Sequence, residues 1–231
     1  GFIESDLSMM ASLTRLRRRA AEVRRCESGV ALIEFAFSMP IILGMGMYGL
    51  EVTNYAMTHM QVSQIALALA DNASRIGQDS ALSLTQFRES DVNDTFEAAK
   101  KQAGRMDITT HGRIILSSLE RNADGGQWIH WQRCVGLRRY DSSYGVEGDG
   151  VTGTSLSGMG PASERITAPD KNAVMFVEIN YDYQPLISDT LIGKPKIHYT
   201  AAFIVRDERD LTMIYNPSPA APRATCNNYT T

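Results

Sequence analysis

A continuous apolar run, a helical stripe and a set of short alternating stretches follow one another along the chain. The run is VALIEFAFSMPIILGMGMYGL, residues 30–50, and its one carboxylate is Glu34. A helix over it, rising about 1.5 Å per residue, is long enough to cross a hydrocarbon core of roughly 30 Å. Beyond it, in VTNYAMTHMQVSQIALALADNASRIG, apolar positions recur at three-and-four spacing: Val52, Tyr55, His59, Val62, Ala66, Leu69, Ala73 and Ile76. Asn54, Gln61, Gln64, Asp71, Asn72 and Arg75 fall mainly on other sides of the helix. The spacing predicts one helix of about 45 residues that becomes amphipathic after residue 51 and stops at Gly77. Pro40 lies inside it, where a local kink is expected and bilayer helices tolerate one.

One or two short helices are predicted over 83–104, from Leu84, Phe87, Val92, Phe96 and Ala99, with Gly104 as the stop. Four strands follow, over 113–119, 128–135, 173–183 and 197–206, the first two joined as a hairpin by NADGGQ. In the third, Met175, Val177, Ile179, Tyr181 and Tyr183 alternate with Phe176, Glu178, Asn180 and Asp182, the period of a half-buried strand. Between strands two and three lies a Gly/Ser-rich stretch, about 140–165, expected to be a long surface loop open to variation or partner contact. Its Gly148, Gly150 and Gly153 match G-x-G-x-x-G, but no strand precedes and no helix follows, so a dinucleotide site is not expected. The fold class expected is α+β: a long N-terminal transmembrane and amphipathic helix packed on a small antiparallel sheet. Its segments are a basic leader over 1–29, a span over 30–51, the amphipathic continuation over 52–77 and a head over 78–231.

Charge sharpens this division. The chain of 231 residues has a formal charge of -3, with 43% hydrophobic and 21% charged residues, a composition ordinary for a folded protein. Residues 1–29 carry six Arg against four acidic residues, a balance of +2 that leaves -5 for the rest. An acidic body is a poor nucleic-acid binder. Arg15, Arg17, Arg18, Arg19, Arg24 and Arg25 crowd against the apolar run. By the positive-inside rule they hold the N-terminus in the cytoplasm and send everything after Glu51 outward. Two other readings are a secretory signal peptide, for which the run is too long, and a buried core helix of a soluble protein. The chain opens on Gly1, and Met9 and Met10 are candidate starts that leave a leader of 21 or 20 residues before Val30.

The junction of leader and run carries a more specific pattern. Gly29, four apolar residues, then Glu34 and Phe35, behind a basic leader and opening a long helix, resembles the N-terminus of type IV prepilins. It is most similar to the TadE/TadG-like minor pilins of the tight-adherence (Flp-type) system. There a GxxxxEF site precedes an apolar run with a proline and a closing G-x-x-E step, in whose place this chain reads GLEV, with Glu51 two positions after Gly49. GRIILSSLERNADGGQWIHWQR, residues 112–133, is similar to the strand pair of those proteins.

The resemblance implies a structural subunit, cut by a prepilin peptidase between Gly29 and Val30. It implies that Glu34, with Phe35 beside it, sets subunit registry by pairing with the N-terminal amine of a neighbour. A proton relay or an incidental interfacial carboxylate are the other roles open to Glu34. The partners implied are the membrane, the peptidase, other pilin and minor pilin subunits and the pilus assembly platform, with no nucleic acid. The place implied is the bacterial inner membrane with the head in the periplasm, or an extracellular pilus. In an oxidising periplasm Cys134 and Cys226 are a disulfide candidate that would tie the C-terminal tail to the sheet, stabilising by about 4 to 5 kcal/mol in the chain-entropy model. Two unpaired thiols are the alternative, and Cys26 lies in the leader. No catalytic motif, cofactor signature or metal-ligand spacing is found, so an enzyme is not expected and no cofactor or metal is assigned. DVNDTFE at Asp91 has EF-hand-like oxygens but Phe96 where that loop needs Gly. The other functions open are a pseudopilin of a type II-like secretion system and an uncleaved membrane-anchored periplasmic binding protein or enzyme.

Overall fold

The computed structural model describes residues 18–19, 28–76, 85–206 and 209–231. The expected helix stop at Gly77, Leu84 as a helical position, Cys26 and most of the arginine block lie outside the described residues. The chain divides into two units, Gly1–Leu50 and Glu51–Thr231. Helix α1 is Ser28–Arg75, with Pro40 inside it, and its part from Glu51 onward belongs to the second unit. The order continues with β1 (Thr85–Arg88), α2 (Glu89–Ala103), a 3-10 turn (Gly104–Met106) and α3 (Ile108–His111). Then come β2 (Gly112–Arg121), β3 (Gln127–Val135), β4 (Val174–Asp182), α4 (Asp189–Ile192), β5 (Lys196–Ile204) and β6 (Arg209–Tyr215).

Strands β2 to β5 form an antiparallel sheet in the order β3-β2-β4-β5. On one face the part of α1 from Glu51 onward packs through Val62, Ile65, Ala66, Leu69, Ala70 and Ala73 against Ile114, Leu116, Met175, Val177, Ile179 and Tyr181. Ile65 and Ala70, absent from the predicted stripe, are fully buried, whereas Val52 faces out. The fold is thus α+β, a long apolar N-terminal helix on a small antiparallel sheet.

Three expectations need correction. Residues 85–88 form β1, not helix, and pair in parallel with a strand that was not predicted, β6. The helix begins one residue later because the Asp91 carboxylate accepts the Arg88 N–H at 2.9 Å, closing its first turn. Phe87, expected on a helical face, is buried from the strand and stacks on Trp131 at 5.2 Å. The second correction is β4, which is buried on both faces: Phe176, Glu178 and Asn180 are as enclosed as Met175 and Val177.

The third correction explains the second. The Gly/Ser-rich stretch is a cover as well as a loop: Tyr144, Leu156, Met159, Ile166 and Ala168 pack on Leu119, Ile129, Val174 and Phe176 as a second small core. Its glycines serve close approach, since a Cβ at Gly150 (φ +77°) would stand 2.1 Å from the Gln127 carbonyl. Asn122, in the hairpin turn, donates its side-chain amide to the Gly150 and Gly153 carbonyls at 2.7 Å each. The G-x-G-x-x-G glycines therefore shape a tied turn.

Burying Glu178 requires partners, and they come from that cover and from β5. Its carboxylate accepts from the hydroxyls of Ser142 (2.9 Å) and Ser143 (2.8 Å) and from the Ser143 N–H, and lies 2.9 Å from His198 Nε2. Burial pushes its pKa up, but the bonds from His198, Ser143 and Ser142 outweigh burial and hold it below the ordinary 4.5. A carboxylate with a lowered folded pKa contributes stability above its unfolded value and loses it as pH falls through the folded one. Thermal unfolding of the full chain in detergent should therefore show Glu178→Gln destabilised by roughly 1 to 3 kcal/mol at neutral pH. The variant's stability should also fall less steeply than the parent's as pH drops below 4.5.

Candidate functional site

Every residue from 29 to 50 is exposed, including Leu32 (70%) and Phe37 (74%). By length and composition this helix could cross a membrane. Gly29 and Val30 lie in the first turn of α1, not in the extended backbone a peptidase requires. That turn has no intrahelical acceptors for its N–H groups and frays readily, so extension costs one turn of helix. Among the described residues a Cβ at Gly29 would meet nothing within 4 Å, so none of their packing demands glycine there. Glu34 is exposed and makes no ion pair among the described residues, and Phe35 is 57% exposed beside it.

The second unit begins on a different carboxylate. Glu51 is fully buried, and both of its oxygens are engaged. Oε1 accepts from the Tyr183 hydroxyl at 2.5 Å and the Leu186 N–H at 3.0 Å, and Oε2 accepts from the Ile187 N–H at 2.8 Å. Asn54, nearly one turn further along α1, donates to the same tyrosine oxygen at 2.7 Å, and Tyr55 meets the Tyr183 ring edge-on at 5.0 Å. Burial, with the Glu51 bond adding to it, pushes the Tyr183 pKa up to about 12, so the phenol keeps its proton and remains a donor. The residues past β4 are thus fastened to the part of α1 that opens the second unit.

On the edge strand β3, Cys134 is joined to Cys226 of the C-terminal tail as a disulfide, with Cα atoms 4.7 Å apart. A second tie runs parallel to it. Arg113 is buried without a carboxylate, and its guanidinium donates to the carbonyls of Gly136 (2.7 Å), Asn228 (2.8 Å) and Cys226 (2.6 Å) while lying over the Tyr229 ring at 4.3 Å. Burial lowers its pKa, and the carbonyls engage both terminal nitrogens while Nε is buried without an acceptor among the described residues.

The histidine and serine groups around Glu178 do not form a relay. Ser142, Ser143 and His198 all point to Glu178, an arrangement that fixes a carboxylate and leaves no hydroxyl bonded to an imidazole. Among the described residues no group of three or more His, Cys, Asp or Glu side chains is placed to hold a metal. Glu89, Arg133 and Glu147 are likewise structural: Arg133 reaches Glu89 at 2.7 Å and Glu147 at 2.9 Å, tying α2 and the cover to β3.

Of the residues singled out in the sequence, the structure joins Cys134 to Cys226 and keeps Gly29, Val30, Glu34 and Phe35 on one exposed turn and a half of helix. Sequence reasoning passed over Glu178, Arg113 and the Tyr183 partner of Glu51. The tyrosines and aliphatic residues spaced through the Gly-rich stretch were the signal that it had a packing face. Tyr183→Phe removes a donor to a buried carboxylate and should destabilise the head by roughly 1 to 3 kcal/mol, read from the urea midpoint. Comparisons with protein-family models, with curated proteins and with solved structures find no match to this chain.

Proposed function

We propose that this chain is a minor pilin or pseudopilin-like structural subunit of a tight-adherence type IV pilus, anchored by α1 with its head in the periplasm and trimmed between Gly29 and Val30. The observation that carries the reading is the pairing of an uncovered apolar helix with a lone carboxylate five positions past a glycine that no packing among the described residues requires. An ionised side chain at mid-bilayer costs roughly 2.5 to 3.5 kcal/mol on insertion scales and less near the interface, so Glu34 gains from a cationic partner. Trimming creates one, since the new Val30 amine of a neighbouring subunit can meet the Glu34 carboxylate. Phe35 then packs beside that contact in lipid or against a neighbour.

N-terminal sequencing of the protein from cells containing the prepilin peptidase should begin at Val30. An intact arginine leader would overturn the reading in favour of an uncleaved anchor. Gly29→Leu should block trimming. Glu34→Gln should be trimmed yet assemble poorly, and normal assembly of that variant would remove the registry role.

A further inference from the structure

The two edges of the four-stranded sheet differ. Along β3 the outward backbone groups are taken: the Ile129 N–H donates to the Asp149 carbonyl at 2.9 Å, and the Gly148 N–H to the Ile129 carbonyl at 2.8 Å. The Cys134 N–H donates to the Ala224 carbonyl at 2.7 Å, and the Gln132 N–H to the Glu147 carboxylate at 2.8 Å. The cover and the C-terminal tail thus close that edge. On the other side, among the described residues, nothing but β4 hydrogen-bonds to the backbone of β5.

An open edge is a template for another strand, and proteins commonly blunt one with bulges, prolines or short length. β5 has none of these. Its nine residues run in unbroken register with β4, from Lys196 opposite Asp182 to Ile204 opposite Val174. Tyr199 and Phe203 are only partly buried at the rim of the main core, and Ile204 is 53% exposed, so an added strand would extend that core outward. Charge is confined to the ends. Lys196 is exposed at the start and Arg206 lies just past the finish, its loose partner Asp71 at 3.6 Å being shared with Arg75.

These cations select the occupant. A second copy laid antiparallel, with Tyr199 opposite Phe203, would set Lys196 opposite Arg206, and like charges facing across a strand pair repel. A strand with carboxylates at those positions is attracted instead. We propose that β5 is a docking edge for an extended segment of a partner protein, uncharged through its middle and acidic at both ends, which adds to the sheet by backbone hydrogen bonds. This holds whether or not the chain is a pilus subunit.

The probes are two end-blocked peptides of alternating valine and threonine, one between terminal glutamates and one between terminal lysines. Each is titrated onto the full chain in detergent, with hydrogen exchange followed along the backbone. The glutamate peptide should bind and slow exchange in β5 but not β3, and the lysine peptide should bind about tenfold more weakly. The double variant Lys196→Glu with Arg206→Glu, at two exposed positions, should invert that preference, which a misfolded chain could not do. Failure of both peptides to bind, or equal binding of the two, would overturn the proposal. So would a dimer by sedimentation whose β5 amides are already protected, since the edge would then belong to a second copy.

Discussion

Glu51 is the constraint on which the placement of α1 within the head depends. A carboxylate enclosed by its own chain needs hydrogen bonds on both oxygens, and this one receives three, from Tyr183, Leu186 and Ile187. Two of those donors are backbone amides of the segment that follows β4. The helix therefore cannot rotate or slide by a residue without stranding the charge. With Glu51 fixed, the three-and-four spacing delivers Val62, Ala66, Leu69 and Ala73 to the sheet, and Arg209 closes the far end by donating to the carbonyls of Ala73 and Ile76 at 3.1 and 2.8 Å. Polar contacts set the register at both ends, while apolar contacts supply the buried area between.

The second face of the sheet follows the same division. Phe176, Ile129 and Met159 supply apolar burial, and the position of the covering stretch is set by polar ties at Asn122, Glu147 and Glu178. A glycine-rich chain has little side-chain area to hold it down, so hydrogen bonds and close backbone approach carry a larger share than in α1. Arg113 performs the same task for the C-terminal tail, beside the disulfide.

What could be read in the sequence followed from periodicity. The stripe from Val62 to Ala73 has the sheet on one side and solvent on the other, so its pattern reports its burial directly, while the unbroken run over 30–50 marks an apolar helix that its own chain leaves uncovered, and the four long strands are equally visible. The pattern fails where burial comes from a non-local partner without a period of its own. Phe176 and Glu178 look exposed because the cover that buries them has irregular spacing, and β6 was missed because its partner β1 has four residues and pairs with it across more than a hundred positions. For the candidate site, the two cysteines and the Gly29 to Phe35 motif were legible as residue types at fixed spacing. The role of Glu51 was not, because its phenol and amide donors lie some 130 residues away.

The two glutamates of α1 make the contrast that bears on function. Glu51 is buried and fully partnered within the chain, whereas Glu34 is exposed on an apolar surface with no ion pair among the described residues. The chain therefore has the means to satisfy a carboxylate on this helix and applies it to only one of the two. A charge retained on an apolar surface without an internal partner costs stability wherever that surface meets lipid, and the cost is recovered only if another molecule supplies the cation. On the proposed reading the supplier is the Val30 amine of a neighbour, so cleavage at Gly29 removes the leader and creates the missing half of an ion pair in one step. Assembly would then be coupled to processing by electrostatics: an untrimmed subunit offers a carboxylate but no amine at the matching position. It could be recruited and could not recruit.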